Sequence, residues 1–174
     1  MAQDDTSAAA AKGPGRMTQE EMIAHIRAAG EVAKIAMEHG HHPFGAVLVG
    51  PDGKILMRQG NINTVRHAET ELARRAAEAY PPEFLWRCTL VSTGEPCAMC
   101  AATLYWANIG RLVYGYAETA LLALTGADPE NPTLHLPARV VLGSGQKAIE
   151  VQGPFPELDD ELLAPHRGFW TSAI

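Results

Sequence analysis

The sequence predicts an α/β fold in which a mixed sheet is covered by helices. Short apolar runs such as Ala46-Val47-Leu48-Val49 alternate with longer stretches of helical periodicity. The first two runs flank Pro51-Asp52-Gly53, a turn signal that makes them a hairpin. Later runs are separated by helix-length segments, and such crossovers favour parallel pairing. With 174 residues, the chain has the length for one domain with a proper core.

Residues 1–17 carry Asp4, Asp5, an alanine run and Gly13-Pro14-Gly15, which predicts a disordered tail before a single domain over 18–174. They lack the basic start and long apolar block of a secretory signal. Thr18 to Glu21 is a T-x-x-E capping box. Met22, Ile23, Ile26, Ala29, Ala33, Ala36 and Met37 then repeat at helical spacing, and Gly40 ends the helix. Pro43 to Val49 and Ile55 to Gln59 are the hairpin strands. Asn63 or Thr64 caps a helix from about Val65 to Tyr80, stopped by Pro81-Pro82. Cys88 to Ser92 is a third strand. Glu95-Pro96 opens a helix to about Asn108, closed by Gly110. Arg111 to Tyr116 is a strand, Glu118 to Thr125 a short helix, and Gly126 to Pro137 a loop. A weaker strand falls somewhere in Arg139 to Gln152, and Glu157 to Ala164 is an acidic helix before Phe169-Trp170.

Hydrophobic residues make up 47% and charged residues 20%, an ordinary globular balance, and no apolar run is long enough to span a membrane. The net charge of -6 speaks against a large non-specific nucleic-acid surface. Three cysteines, two of them in one C-x-x-C, are not a disulfide framework and predict a reducing, cytoplasmic setting.

The chemistry concentrates in His67-Ala68-Glu69 and Pro96-Cys97-Ala98-Met99-Cys100. Cys97 and Cys100, three positions apart at a helix start, put both sulfurs on one face near the positive end of the helix dipole. Two thiolates and the His67 imidazole suit Zn2+, one ion per chain. Three protein ligands leave a position for water, which marks a catalytic rather than a structural zinc site. Glu69 is then the proton carrier between water and substrate. A closed structural site needs a fourth ligand, and His41, His42, His135 and His166 lack metal-like spacing to the pair. Cys88 reads as a buried strand thiol, and His25 and His39 as helix-face residues.

With H-x-E and P-C-x-x-C in place, the chain resembles the cytidine deaminase superfamily. Within it, the chain resembles the branch of bacterial guanine deaminases, cytosine deaminases and tRNA adenosine deaminases, and most of all the bacterial guanine deaminases. Further carriers are Pro43-Phe44-Gly45-Ala46-Val47, Trp106-Ala107 and Gly110-Arg111-Leu112-Val113-Tyr114-Gly115. The resemblance implies a three-layer α/β/α sandwich with a mixed five-stranded sheet, and a homodimer. It implies that Phe44 packs on the base, that Trp106 lines the pocket and that Asn61 hydrogen-bonds the ring. Ala68 joins these substrate contacts. Asp128, 22 positions after Trp106, falls where guanine deaminases carry an aspartate that assists proton transfer. Phe169 and Trp170 are the candidate lid. Plain structural readings stand beside these: core packing for Phe44 and Trp106, a turn for Asp128, docking for the tail, and Asn63 in place of Asn61.

The resulting expectation is hydrolytic deamination of a small amino-heterocycle, guanine or a related base. A tRNA adenosine deaminase or a cytosine-type pyrimidine deaminase is the alternative, followed by a non-catalytic zinc scaffold. The acidic residues Glu157, Asp159, Asp160 and Glu161 rank tRNA second. Glu69 argues against a scaffold, which needs no proton carrier.

Overall fold

The computed structural model describes residues 13–126 and 128–170. Helix α1 spans Gln19–Glu38, with the Thr18–Glu21 capping box formed in both directions. Gly40 follows at φ 80°, a left-handed conformation that glycine adopts at no steric cost. Strands β1 (Gly45–Val49) and β2 (Ile55–Gly60) form the hairpin. Then come α2 (Ala68–Ala79), α3 (Pro82–Leu85), β3 (Thr89–Gly94), α4 (Ala98–Trp106), β4 (Arg111–Tyr116) and α5 (Glu118–Thr125). The chain continues through α6 (Ala138–Gly143), β5 (Glu150–Gln152) and α7 (Asp159–Leu163).

The strands form one sheet in the order β2-β1-β3-β4-β5. β3, β4 and β5 pair in parallel, as the crossovers predict. The β1–β3 pair is antiparallel, against expectation. The α2 crossover carries the chain from β2 past β1, so it is β2 and β3 that run the same way, with β1 between them. The sheet is covered on both sides, giving three layers. Alternate residues divide between two cores, as a strand's period of two requires. Ala46, Leu48, Leu90 and Leu112 face α2, α4 and α6. Val47, Val49, Val91 and Val113 face α1 and the 158–163 segment. Gly45 lets α1 approach closely, because a Cβ there would collide with the backbone of Ala29 and Ala33.

Several boundaries differ from the sequence reading. Helix α2 starts three positions later than Val65, because Asn63 Oδ1 accepts from the N–H groups of Val65 and Arg66 and holds them in a turn. The 139–152 region opens as helix α6, and only Glu150–Gln152 is strand. The acidic C-terminal helix is broken into a 3-10 turn, α7 and a second 3-10 turn, with Pro156 and Pro165 at their starts. Of the expected tail, residues 1–12 lie outside the described residues. Further on, Gly15 accepts a hydrogen bond from Arg111 and Met17 packs on the α1-side core.

Candidate active site

The topology gathers one end of four strands. Phe44 precedes β1 and Asn61 follows β2, and their neighbours Gly45 and Gly60 are paired in register. Gly94 and Tyr116, the last residues of β3 and β4, are likewise in register. Glu95 and Glu118 therefore leave the sheet at the same end. The loops at the ends of parallel strands are where an α/β fold makes its crevice. Here it is a cavity of about 860 Å³ lined by Phe44, Asn61, His67, Glu69, Cys97 and Glu118, among others.

His67 and Cys97 occupy equivalent places, each the N-cap of its helix with extended backbone geometry. Neither side chain caps its own helix, so both are free to point into the cavity. Cys97 Sγ lies 3.7 Å from His67 Nδ1 and 3.6 Å from Cys100 Sγ, and Cys100 Sγ lies 3.5 Å from Nδ1. These are the edges of a tetrahedron whose bonds to zinc are roughly 2.0–2.3 Å, so the donor set fits the ion in kind and in spacing. Among the described residues the cluster is this triad alone, which leaves the fourth position to a small ligand. Thr70 donates to Cys100 Sγ at 3.1 Å, a support the sequence did not reveal.

The hydrogen bond from Cys100, with His67 beside it, holds the Cys97 thiol down at about 4, while the same bond and burial push Cys100 up. The Cys97 sulfur in turn raises the pKa of His67. Glu69 is buried, with a carboxylate oxygen 3.6 Å from Cys100 Sγ. Desolvation pushes its carboxyl upward, as suits a group that must take up and release a proton.

The structure separates the remaining candidates. Phe44 and Asn61 line the cavity. Asn63 lines it too; its side-chain oxygen accepts from Val65 and Arg66, and the Asn61 side-chain amide donates to the Asn63 carbonyl at 3.3 Å. Ala68 has its side chain in the core, and its N–H, at the first helical position, has no acceptor within the helix. Trp106 lies elsewhere: it is 79% exposed, edge-on to Tyr105 and near Lys147. It sits at the opposite end of α4 from Cys97, and nine residues of helix are roughly 13 Å long. Asp128 accepts the Glu130 N–H at 2.8 Å, the turn that stood as its plain structural reading, and is not among the residues lining the cavity. The lining carboxylate there is Glu130, 3.7 Å from His42. Phe169 and Trp170 are not among the lining residues; both pack on His42 and Trp170 also on Phe44, two residues that do line the cavity. Glu118 escaped the sequence reading because nothing about an acidic residue at a helix start marks it. Burial in the cavity wall pushes its carboxyl up to about 7.

A zinc triad at two helix starts, with a buried carboxyl beside it, defines a zinc-type nucleobase or nucleoside deaminase. The comparisons agree. Residues 19–116 match the cytidine and deoxycytidylate deaminase zinc-binding region, and the chain belongs to that family. It is 35% identical over 155 residues to the Schizosaccharomyces pombe protein named "Probable cytosine deaminase", covering 87% of this chain and 93% of that one. It is 46% identical over 88 residues to a tRNA-specific adenosine deaminase of Agrobacterium fabrum, covering 48% of this chain and 57% of that one. A solved structure from a study of A-to-I editing by tRNA:A34 deaminases superposes with a TM-score of 0.55 at 31% identity, covering 76% and 98% of the two chains. The guanine deaminase of Nitrosomonas europaea superposes with a TM-score of 0.66 at 20% identity over 92% of this chain and 88% of its own, a likeness of fold. The chain is a hydrolytic deaminase with zinc as its cofactor, and no helix among the described residues is long and apolar enough to cross a membrane.

Proposed function

We propose that residues 18–174 act as one domain that deaminates a free, nucleobase-sized amino-heterocycle, guanine or a related base. The carrying observation is Glu69, buried beside the triad at the floor of a cavity of about 860 Å³. Zinc, when bound, supplies a Lewis acid that brings the pKa of water toward ~7. The chain's own residues do the rest. Phe44 offers a ring face to a flat substrate, and Asn61 a side-chain amide to its edge. Glu69 takes a proton from the attacking water and passes it to a ring nitrogen, and then carries a second proton, from the hydroxyl so formed, to the departing ammonia.

Cytosine is the second reading, favoured by the match that spans nearly all of the fission yeast relative. Free bases rank above tRNA because the net charge is -6. A homodimer belongs to the same reading: Trp106 and Val140, on the neighbouring helices α4 and α6, are exposed apolar residues that a second copy of the chain would cover.

The test is ammonia release from guanine, isoguanine, cytosine, isocytosine, pterins, their nucleosides and tRNA. Turnover of a free base is expected; reaction of tRNA alone refutes the reading. Glu69→Gln is expected to keep about one zinc per chain and to lose at least ~100-fold in kcat. Ammonia release at the native rate by that variant removes Glu69 from the mechanism.

A further inference from the structure

The cavity holds polar groups that neither the triad nor Glu69 uses. They lie on the segment joining β4 to α6. Glu118, two positions beyond β4, lines the cavity, as do Asn131 and Thr133 further along. Asn131 Nδ2 is buried and makes no hydrogen bond among the described residues, and Thr133 Oγ1, also buried, has only the Glu118 carboxyl within reach. Buried polar groups are costly unless paired, so unpaired ones in a ligand cavity point to a ligand atom.

The segment is also tied to the metal loop. Glu95, two residues before Cys97, accepts from the N–H of Glu118 at 3.3 Å and from that of Ala138 at 3.0 Å. One carboxylate therefore anchors both ends of the stretch that carries the three groups.

We propose that Glu118, Asn131 and Thr133 form the edge of the site that selects the substrate, reading an oxo group on an amino-heterocycle. This rests on the deaminase reading and narrows it. The Asn131 amide is a donor, Thr133 donates or accepts, and Glu118 donates while protonated. Two donors and a hydroxyl match a carbonyl oxygen with an adjoining ring nitrogen. They leave adenine, which has no oxo group, with buried donors unpaired. Burial raises the Glu118 carboxyl, which shares the cavity lining with Cys97, Glu95 and Glu69. His67, His42 and Glu130 line the same cavity.

The test compares ligands that differ only in the oxo group, guanine against 2-aminopurine and cytosine against 4-aminopyrimidine. Calorimetric Kd and kcat/KM are measured on zinc-loaded wild type and on Asn131→Ala, Thr133→Val and Glu118→Ala, each checked for zinc content. The wild type is expected to prefer the oxo base at least ~100-fold. Each variant is expected to weaken the oxo base about tenfold more than its oxo-less analogue. Glu118→Gln, which keeps a side-chain donor in the same place, is expected to retain the discrimination that Glu118→Ala loses. Equal losses on both ligands, or none, overturn the specificity edge while leaving the deaminase reading intact. Failure of every free base to bind or react with the wild type overturns both.

Discussion

Glu71 shows how one side chain secures the approach to the site. It is 95% buried, by its 5% exposure, and accepts from Arg66 at 2.9 Å and from Arg74 at 2.8 Å. Arg66 directly precedes the His67 ligand, so this pair fixes the turn that delivers the imidazole. The Arg66 and Arg74 guanidinia hold the Glu71 carboxyl down at about 2, from an ordinary 4.5. A depressed carboxylate contributes its stability in full above 4.5 and loses it as pH falls toward 2. Both guanidinia are half exposed, which screens the interaction. Glu71→Gln is therefore expected to cost about 1–2 kcal/mol at pH 7, and the difference from wild type should shrink toward pH 3 in urea titrations. A gap independent of pH counts against the ion pair as its source. At this scale the triad and Glu69 were legible in the sequence, because their chemistry depends on residue type and spacing. Trp106 and Asp128 were not placed by spacing alone, since helix length and a local turn decide where each side chain lies. Glu118 becomes notable only through burial, which no motif records.

Among the elements, helix starts matter most. Thr18 caps α1 through a reciprocal pair, whereas α2 and α4 begin with metal-ligand residues whose side chains cap nothing. The active helices thus forgo a local stabilisation that the supporting helix keeps. Thr18→Ala is expected to cost about 1 kcal/mol, read as a lower urea midpoint with unchanged zinc content. Loss of zinc in that variant contradicts the division of labour. Strand and helix identities were largely readable from periodicity. The antiparallel β1–β3 pair was not, because sequence order does not say that the α2 crossover skips a strand. Helix α6 was missed because its six residues are too few for a periodicity to show.

In the molecule as a whole, the last described residues reach back to the sheet. The Trp170 indole N–H donates to His166 Nδ1 at 3.2 Å, and His166 Nε2 meets Tyr116 Oη at 2.9 Å. Burial holds His166 down at about 3, so the ring is neutral, and the indole donor assigns its proton to Nε2. Phe44 packs edge-on against His166, which connects the cavity wall to the His166–Trp170 segment. Trp170→Ala is expected to cost about 3 kcal/mol and to raise KM for the free base, with zinc retained. Unchanged KM would make the tail a purely stabilising strap.

The Glu95 anchor has a consequence for how such a chain can change. One carboxylate in the metal loop fixes both ends of the stretch from Glu118 to Ala138. The intervening turn can be lengthened, shortened or rewritten without pulling on Cys97 or Cys100. New substrate ranges can therefore arise by cassette exchange within a held frame, in nature or in a randomised library, while the hydrolytic centre is inherited intact.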